Sequence, residues 1–341
     1  MRGHLRLKMT RGSSSWAKLL GLGCLFLLTL TLVSATAGIA AGDSPSTVPY
    51  KTVPYNTSTM TSPEGQVIPP GCVHFVQNGA MVMGNGTVLN TDGSRQQIGN
   101  SCKSWQSGVQ PPTISSWVED AYDTLGSGSN PVGSSSAYWT VPPAPSTCSS
   151  SSGQLLFFFN GLEVDQYDTA GELLQPVLAH GYNGGNYGCY YYMQAWYVYT
   201  GSPGYIATTG VTVSSGDTLW GYMAYIGTNP NTSTCCWWEI KLLDTSTNPQ
   251  LITYEYVQTS AYGGYSAMRE IYGGVLEAYS VSSCTDLPGG SSGSTDFTSQ
   301  YILDTSGTQI TPSWTGVVTS GLSPQCGYGG SFGSTYVDLT Y

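Results

Sequence analysis

The stretch CYYYMQAWYVY, Cys189 to Tyr199, decides the fold class. Counted in twos, Tyr190, Tyr192, Gln194, Trp196 and Val198 share one face, while Cys189, Tyr191, Met193, Ala195, Tyr197 and Tyr199 share the other. Aromatic and β-branched residues suit a pleated surface. Large rings on both faces require that both be covered, or that one line a groove gripping an extended ligand. Core packing and a ligand groove are equally open readings of the face that carries Tyr192, Gln194 and Trp196.

Working outward, similar short runs recur between clusters of Gly, Ser, Pro and Asn. Upstream lie Ala137–Val141, Gln154–Asn160 and Leu173–Leu178. Downstream lie Thr218–Ile226, Cys235–Leu243, Leu251–Val257, Tyr272–Val281, Phe297–Leu303 and Tyr336–Leu339. None has a sustained 3.6-residue apolar period, and no fixed-length repeat is present. The pattern predicts an all-β antiparallel β-sandwich, a concanavalin-like jelly roll, over residues 113–341.

The N-terminal third is organised differently. Arg2, Arg6, Lys8, Arg11 and Lys18 precede an apolar run from Leu19 to Val33 and then small residues at Ala35 to Ala41. That order reads as a secretory signal over residues 1–41 and predicts a secreted, extracellular protein. Left uncleaved, the whole apolar stretch nears the length of a membrane span and would serve as a retained anchor. Residues 42–71 are rich in Pro, Ser and Thr and read as a linker or pro-segment. Residues 72–112 alternate apolar residues with Asn-Gly and Asp-Gly turns, the chemistry of hairpins, and form a small β appendage or propeptide. Asn56, Asn85 and Asn231 match the glycosylation acceptor pattern.

Nine cysteines are present. Setting aside Cys24 in the signal leaves Cys72, Cys102, Cys148, Cys189, Cys235, Cys236, Cys284 and Cys326, an even set that implies disulfides in an exported chain. Cys72 with Cys102 is a plausible local pair. Cys235 and Cys236 would point to opposite faces of a strand, which predicts a distant partner for each. Zinc is disfavoured, since there is no C-x-x-C pair and few histidines, and no cofactor motif is present.

Charged residues make up 9% of the chain and the net charge is −10. Beyond Pro112 only Lys241 and Arg269 are basic, which argues against a nucleic-acid partner. A protein with few bases also avoids positive self-repulsion in acid, although the same composition serves simple solubility at neutral pH.

Familiar catalytic sets are missing. Only His180 lies in the main body, and its context reads as structural. What remains are polar groups inside apolar strands. Gln175 stands in ELLQPVL and shares a face with Leu173 and Val177. Glu277 stands in GGVLEAY and shares a face with Val275 and Tyr279. Burial raises a carboxyl pKa, which suits general acid–base work in acid. These two are the candidate catalytic residues, while Asp217 in Ser215-Gly216-Asp217 reads as a turn cap.

The succession WTVPP, FFFNGLE, LLQPVL, the aromatic strand, VSSGDT and GGVLEAY, from Tyr138 to Tyr279, resembles the glutamic peptidases of the eqolisin type. It is similar as well to a group of secreted bacterial proteins of unassigned activity sharing W-x-V-P-P-A-P, L-Q-P-V-L and G-x-V-L-E-x-Y. The resemblance implies a sandwich of two antiparallel sheets and acid proteolysis of a polypeptide by a Gln/Glu dyad and an activated water, here Gln175 and Glu277, with Tyr192, Gln194 and Trp196 as the residues that bind substrate along the cleft. Glu270 is the fallback carboxylate, because the second acidic residue of the family's glutamate strand is absent. A glycan-binding or glycoside-hydrolysing sandwich, pairing Glu277 with Glu163, is the rival class. A non-catalytic surface protein is the third.

Overall fold

The computed structural model describes residues 51–52, 58–63, 67–69, 71–99, 114–149, 153–164, 172–184, 187–199, 205–227, 235–259 and 268–341. The signal segment, Asn56, Cys102 and Asn231 lie outside the described residues. The strands are β1 (Lys51–Thr52), β2 (Met60–Thr61), β3 (Val67–Ile68), β4 (Val73–Val76), β5 (Met81–Val82), β6 (Thr87–Leu89) and β7 (Arg95–Gln97). The body adds β8 (Ile114–Thr124), β9 (Val132–Thr140), β10 (Leu155–Val164), β11 (Glu172–Gly181), β12 (Tyr191–Tyr199), β13 (Tyr205–Thr208), β14 (Val211–Val213), β15 (Thr218–Gly227) and β16 (Trp237–Asp244). The chain ends with β17 (Leu251–Gln258), β18 (Met268–Val281), β19 (Ser294–Asp304), β20 (Gln309–Ile310), β21 (Thr315–Val318), β22 (Gly329–Gly333) and β23 (Tyr336–Thr340).

These strands build two large sheets. The first runs β1-β7-β6-β5-β17-β16-β15-β9-β19-β23-β22, with β20 on β19. The second runs β21-β8-β18-β10-β11-β12-β13-β4, with β14 on β12. Pairing within residues 114–341 is antiparallel. The parallel pairs arise where the N-terminal strands join: β4 on β13, β5 on β17 and β1 on β7. Residues 72–97 thus contribute edge strands to both sheets. Their turns fall at Gly79, Gly86 and Gly93, each with φ near +80°, a conformation that glycine adopts without steric cost.

The alternation of β12 explains the layering. Tyr191, Met193, Ala195 and Tyr197 enter the core between the sheets, beside Trp139, Phe158, Trp238 and Leu276. Tyr192, Trp196 and Val198 lie on the opposite, outer face of the second sheet. Phe157, Phe158 and Phe159 are all fully buried, which for successive strand residues means that both faces are covered. Each buried ring contributes on the order of 1.5–3 kcal/mol of transfer free energy. The outer face is covered in part by the chain's own Met60 and Ile68, from the β2–β3 hairpin.

Disulfides join Cys148 to Cys189 and Cys284 to Cys326. Cys72 is also disulfide-bonded. The expectation of distant partners for Cys235 and Cys236 is overturned: they bond to each other. Both precede β16, which begins at Trp237, so the strand alternation that would send them to opposite faces does not apply.

Candidate functional site

The candidate site occupies the outer face of the second sheet, at the centre of β8, β18, β10, β11 and β12. Gln175 and Glu277 both project from this face, Gln175 between Leu173 and Val177 and Glu277 opposite Phe157. Both are fully buried. Their levels differ. Glu277 pairs with Phe157, and Phe157 with Ala179. Gln175 stands four residues from Ala179, at the level of Gly161, which pairs with Tyr272. Two strand spacings and four residues of rise put the two Cα atoms roughly 16 Å apart. The pair expected from the sequence therefore shares a face without meeting.

Glu163 is the carboxyl beside Gln175. It lies two residues beyond Gly161 on the neighbouring strand, a diagonal position about 7–8 Å away at Cα and within reach of long side chains. Gly161 lies beside this grouping, where a Cβ would meet the Tyr272 ring and Leu173 at ordinary van der Waals distance. The Tyr272 hydroxyl lies 2.6 Å from Glu163 Oε2 and 2.8 Å from Glu270 Oε1. A phenol carries one hydrogen, so when both contacts are hydrogen bonds one carboxyl supplies the other proton. Burial, aided by the nearby Glu270 charge, pushes Glu163 up to about 7 against the Tyr272 hydrogen bond. Asp120 is likewise raised to about 7 by burial and by Glu270. Desolvation, with the two glutamates beside it, drives the Tyr272 phenol up as well. This is a coupled acidic group that retains protons toward neutral pH. Among the described residues, no cluster of His, Cys, Asp or Glu has the geometry of a metal site.

The residues expected to bind substrate, Tyr192, Gln194 and Trp196, are buried on the same face of the sheet. Trp196 pairs with Gln175 across β11 and β12. Gln194 accepts from the Trp196 indole at 3.1 Å and donates to the Thr208 carbonyl at 2.9 Å, so it fixes the ring. Tyr192 stacks on Tyr187 at 3.9 Å between ring centroids. Glu277 sits farther along the face, where the Tyr279 hydroxyl donates to Oε2 at 3.3 Å. Glu163 and Glu277 are separated by six residues of rise along paired strands, roughly 20 Å, which is beyond the carboxyl spacing of either glycosidase mechanism. Asp217 accepts from the Ser214 amide at 2.7 Å, the cap expected of it. His180 is buried against Tyr191 and lowered to about 4 by desolvation, a neutral structural imidazole.

Sequence reasoning missed Asp120, Asn183 and Pro63. Asp120 could have been found from WVED, where its face is shared with Val118 or Trp117 depending on a bulge that pairing alone reveals. Pro63 is the more consequential omission. Its carbonyl accepts a hydrogen bond from Gln175 Nε2 at 3.3 Å.

The fold is thus an all-β sandwich of two mixed sheets. Among solved structures it is similar to scytalido-glutamic peptidase bound to a transition state analog inhibitor, at 16% identity and a TM-score of 0.41, with 66% of this chain and 97% of that chain covered. It is also similar to SCP-B, a member of the eqolisin family of peptidases in complex with the tripeptide Ala-Ile-His, at 16% identity and a TM-score of 0.39 over the same shares. No family model and no curated protein matches the chain.

Proposed function

We propose that this protein is an exported, acid-acting endopeptidase that holds polypeptide in extended form along the outer face of the second sheet. The observation that carries the reading is the Gln175 amide donating to a peptide carbonyl, that of Pro63, beside a cluster of protonatable carboxyls. A side-chain amide aimed at a peptide carbonyl in a dry site is the arrangement an oxyanion donor requires. In this reading Glu163, in its ionised form, takes a proton from water. The water oxygen attacks the scissile carbonyl, Gln175 donates to the developing oxyanion, and the proton passes to the leaving nitrogen. Glu163 replaces Glu277 as the working carboxylate because it is the one adjacent to Gln175. The order of basic, apolar and small residues in 1–41 supports export.

Activity is expected to fall as pH rises through about 7, where Asp120 loses its proton, and to fall again in stronger acid, where Glu163 holds its own. The test is cleavage of an unfolded protein from pH 2 to 8 by wild type, Gln175→Ala, Glu163→Gln and Glu277→Gln, with residues up to 70 shown to be removed. Acid activity lost in the first two variants and retained in Glu277→Gln is the expected result. Loss in Glu277→Gln with Glu163→Gln active would return the carboxylate role to Glu277. No cleavage by any form would overturn the peptidase reading.

A further inference from the structure

The chain carries its own peptide on this face, and the way it is held says more than the Gln175 contact alone. Asn183, 2% exposed at the end of β11, grips the backbone of Thr61 twice: its Oδ1 accepts from the Thr61 amide at 2.8 Å and its Nδ2 donates to the Thr61 carbonyl at 2.8 Å. A side-chain amide engaging both backbone groups of one residue imitates the pairing of a neighbouring strand and reads main chain, not side chain. Two residues on, Gln175 holds the Pro63 carbonyl. Between them Ser62 is fully buried, and before them Met60 is 1% exposed. Gly184 opens the space for Met60: a Cβ there would lie 2.6 Å from Met60 Cγ and 3.3 Å from the Thr59 carbonyl.

We infer that Met60–Pro63 occupies the place of a bound polypeptide, with Asn183 as a backbone-positioning residue and the space over Gly184 as a subsite for a long, flexible apolar side chain. The inference rests on the peptidase reading for what the site does to such a peptide, and on geometry alone for the binding. Its consequence is that the face is closed to other peptides while Met60–Pro63 is seated. A free ligand would be an extended segment with a Met-like residue one position before the residue held by Asn183, and a carbonyl two positions after it.

Hydrogen exchange on the full chain tests this without any need for catalysis. Asn183→Ala is expected to speed exchange across residues 58–63 at least tenfold, while β10, β11 and β18 keep their protection. Gly184→Ala should do the same by filling the Met60 space. Because Gly184 has φ of +62°, backbone strain could mimic the clash, so Gly184→Ala is combined with Met60→Ala. Restored protection in the double variant is expected, and continued fast exchange would overturn the subsite. Unchanged exchange in Asn183→Ala would overturn the clamp. If the exchange results hold yet no variant cleaves any polypeptide, the peptide-binding inference stands and the peptidase reading falls.

Discussion

Glu119 ties the stability of this protein to acid. Its carboxyl is 1% exposed and accepts one hydrogen bond, from the Gly329 amide at 2.7 Å. Desolvation dominates that bond, and with Asp338 and Asp120 nearby it raises the carboxyl from 4.5 to about 9. A folded-state pKa raised in this way means that the stabilisation is complete below about pH 4.5 and is lost as pH rises through about 9. Between pH 7 and pH 8 the folded chain holds this proton and the unfolded chain does not, so each unit of pH costs about 1.4 kcal/mol. For a domain of this size that is roughly 2–3 °C in melting temperature per pH unit. Asp120 and Glu163, both raised to about 7, add to the trend in the same direction. His74 and His180 act oppositely. Lowered to about 4 by burial, they favour the fold above pH 6.5 and withdraw that support as pH falls through about 4. The maximum is therefore expected in mildly acidic solution. Calorimetry of wild type and Glu119→Gln from pH 5 to 8 checks the assignment. The variant should melt higher at pH 8 and lose about 1.4 kcal/mol per unit of the wild-type slope. An identical slope in both proteins would refute the reasoning, as would a wild type that gains stability from pH 7 to 8.

Two further perturbations probe the frame that holds the site. Gly221→Ala places a Cβ 2.5 Å from Asn160 Oδ1 and 2.6 Å from the Trp139 ring; overpacking of this kind should cost about 1–3 kcal/mol, read as a lower urea midpoint at pH 5. Replacing Cys148 and Cys189 together by serine opens a link spanning 41 residues, and chain entropy predicts a loss of about 4 kcal/mol by the same assay. A midpoint unchanged from wild type would show that this link does not restrain the unfolded chain.

Much of the architecture was legible from side-chain alternation. The runs at Thr218–Ile226 and Leu251–Val257 match β15 and β17 to within a residue at either end. The run at Gln154–Asn160 stops short of β10, which continues to Val164, because Asn160 and Gly161 look like a turn in isolation. Gly161 instead lies at a register shift against β18, paired with Tyr272. The strand Ile114–Thr124 is not among the runs read from the sequence: Glu119, Asp120 and Asp123 interrupt its apolar alternation, and pairing with β18 and β21 encloses it. Cys235 and Cys236 depart from expectation for a related reason: they stand ahead of Trp237, where the strand and its alternation begin.

Alternation is a local property, and it settled which residues lie on which face. Gln175 and Glu277 could be assigned to strand faces from their neighbours alone, as could the all-β class. Register is not local. Which carboxyl stands beside Gln175 depends on how β10 and β18 slide past each other, and each slip of two residues moves a side chain by roughly 7 Å without changing its face. Hydrogen bonding between distant segments decided that, as it decided that Thr61 and Pro63 lie against Asn183 and Gln175 more than a hundred residues away.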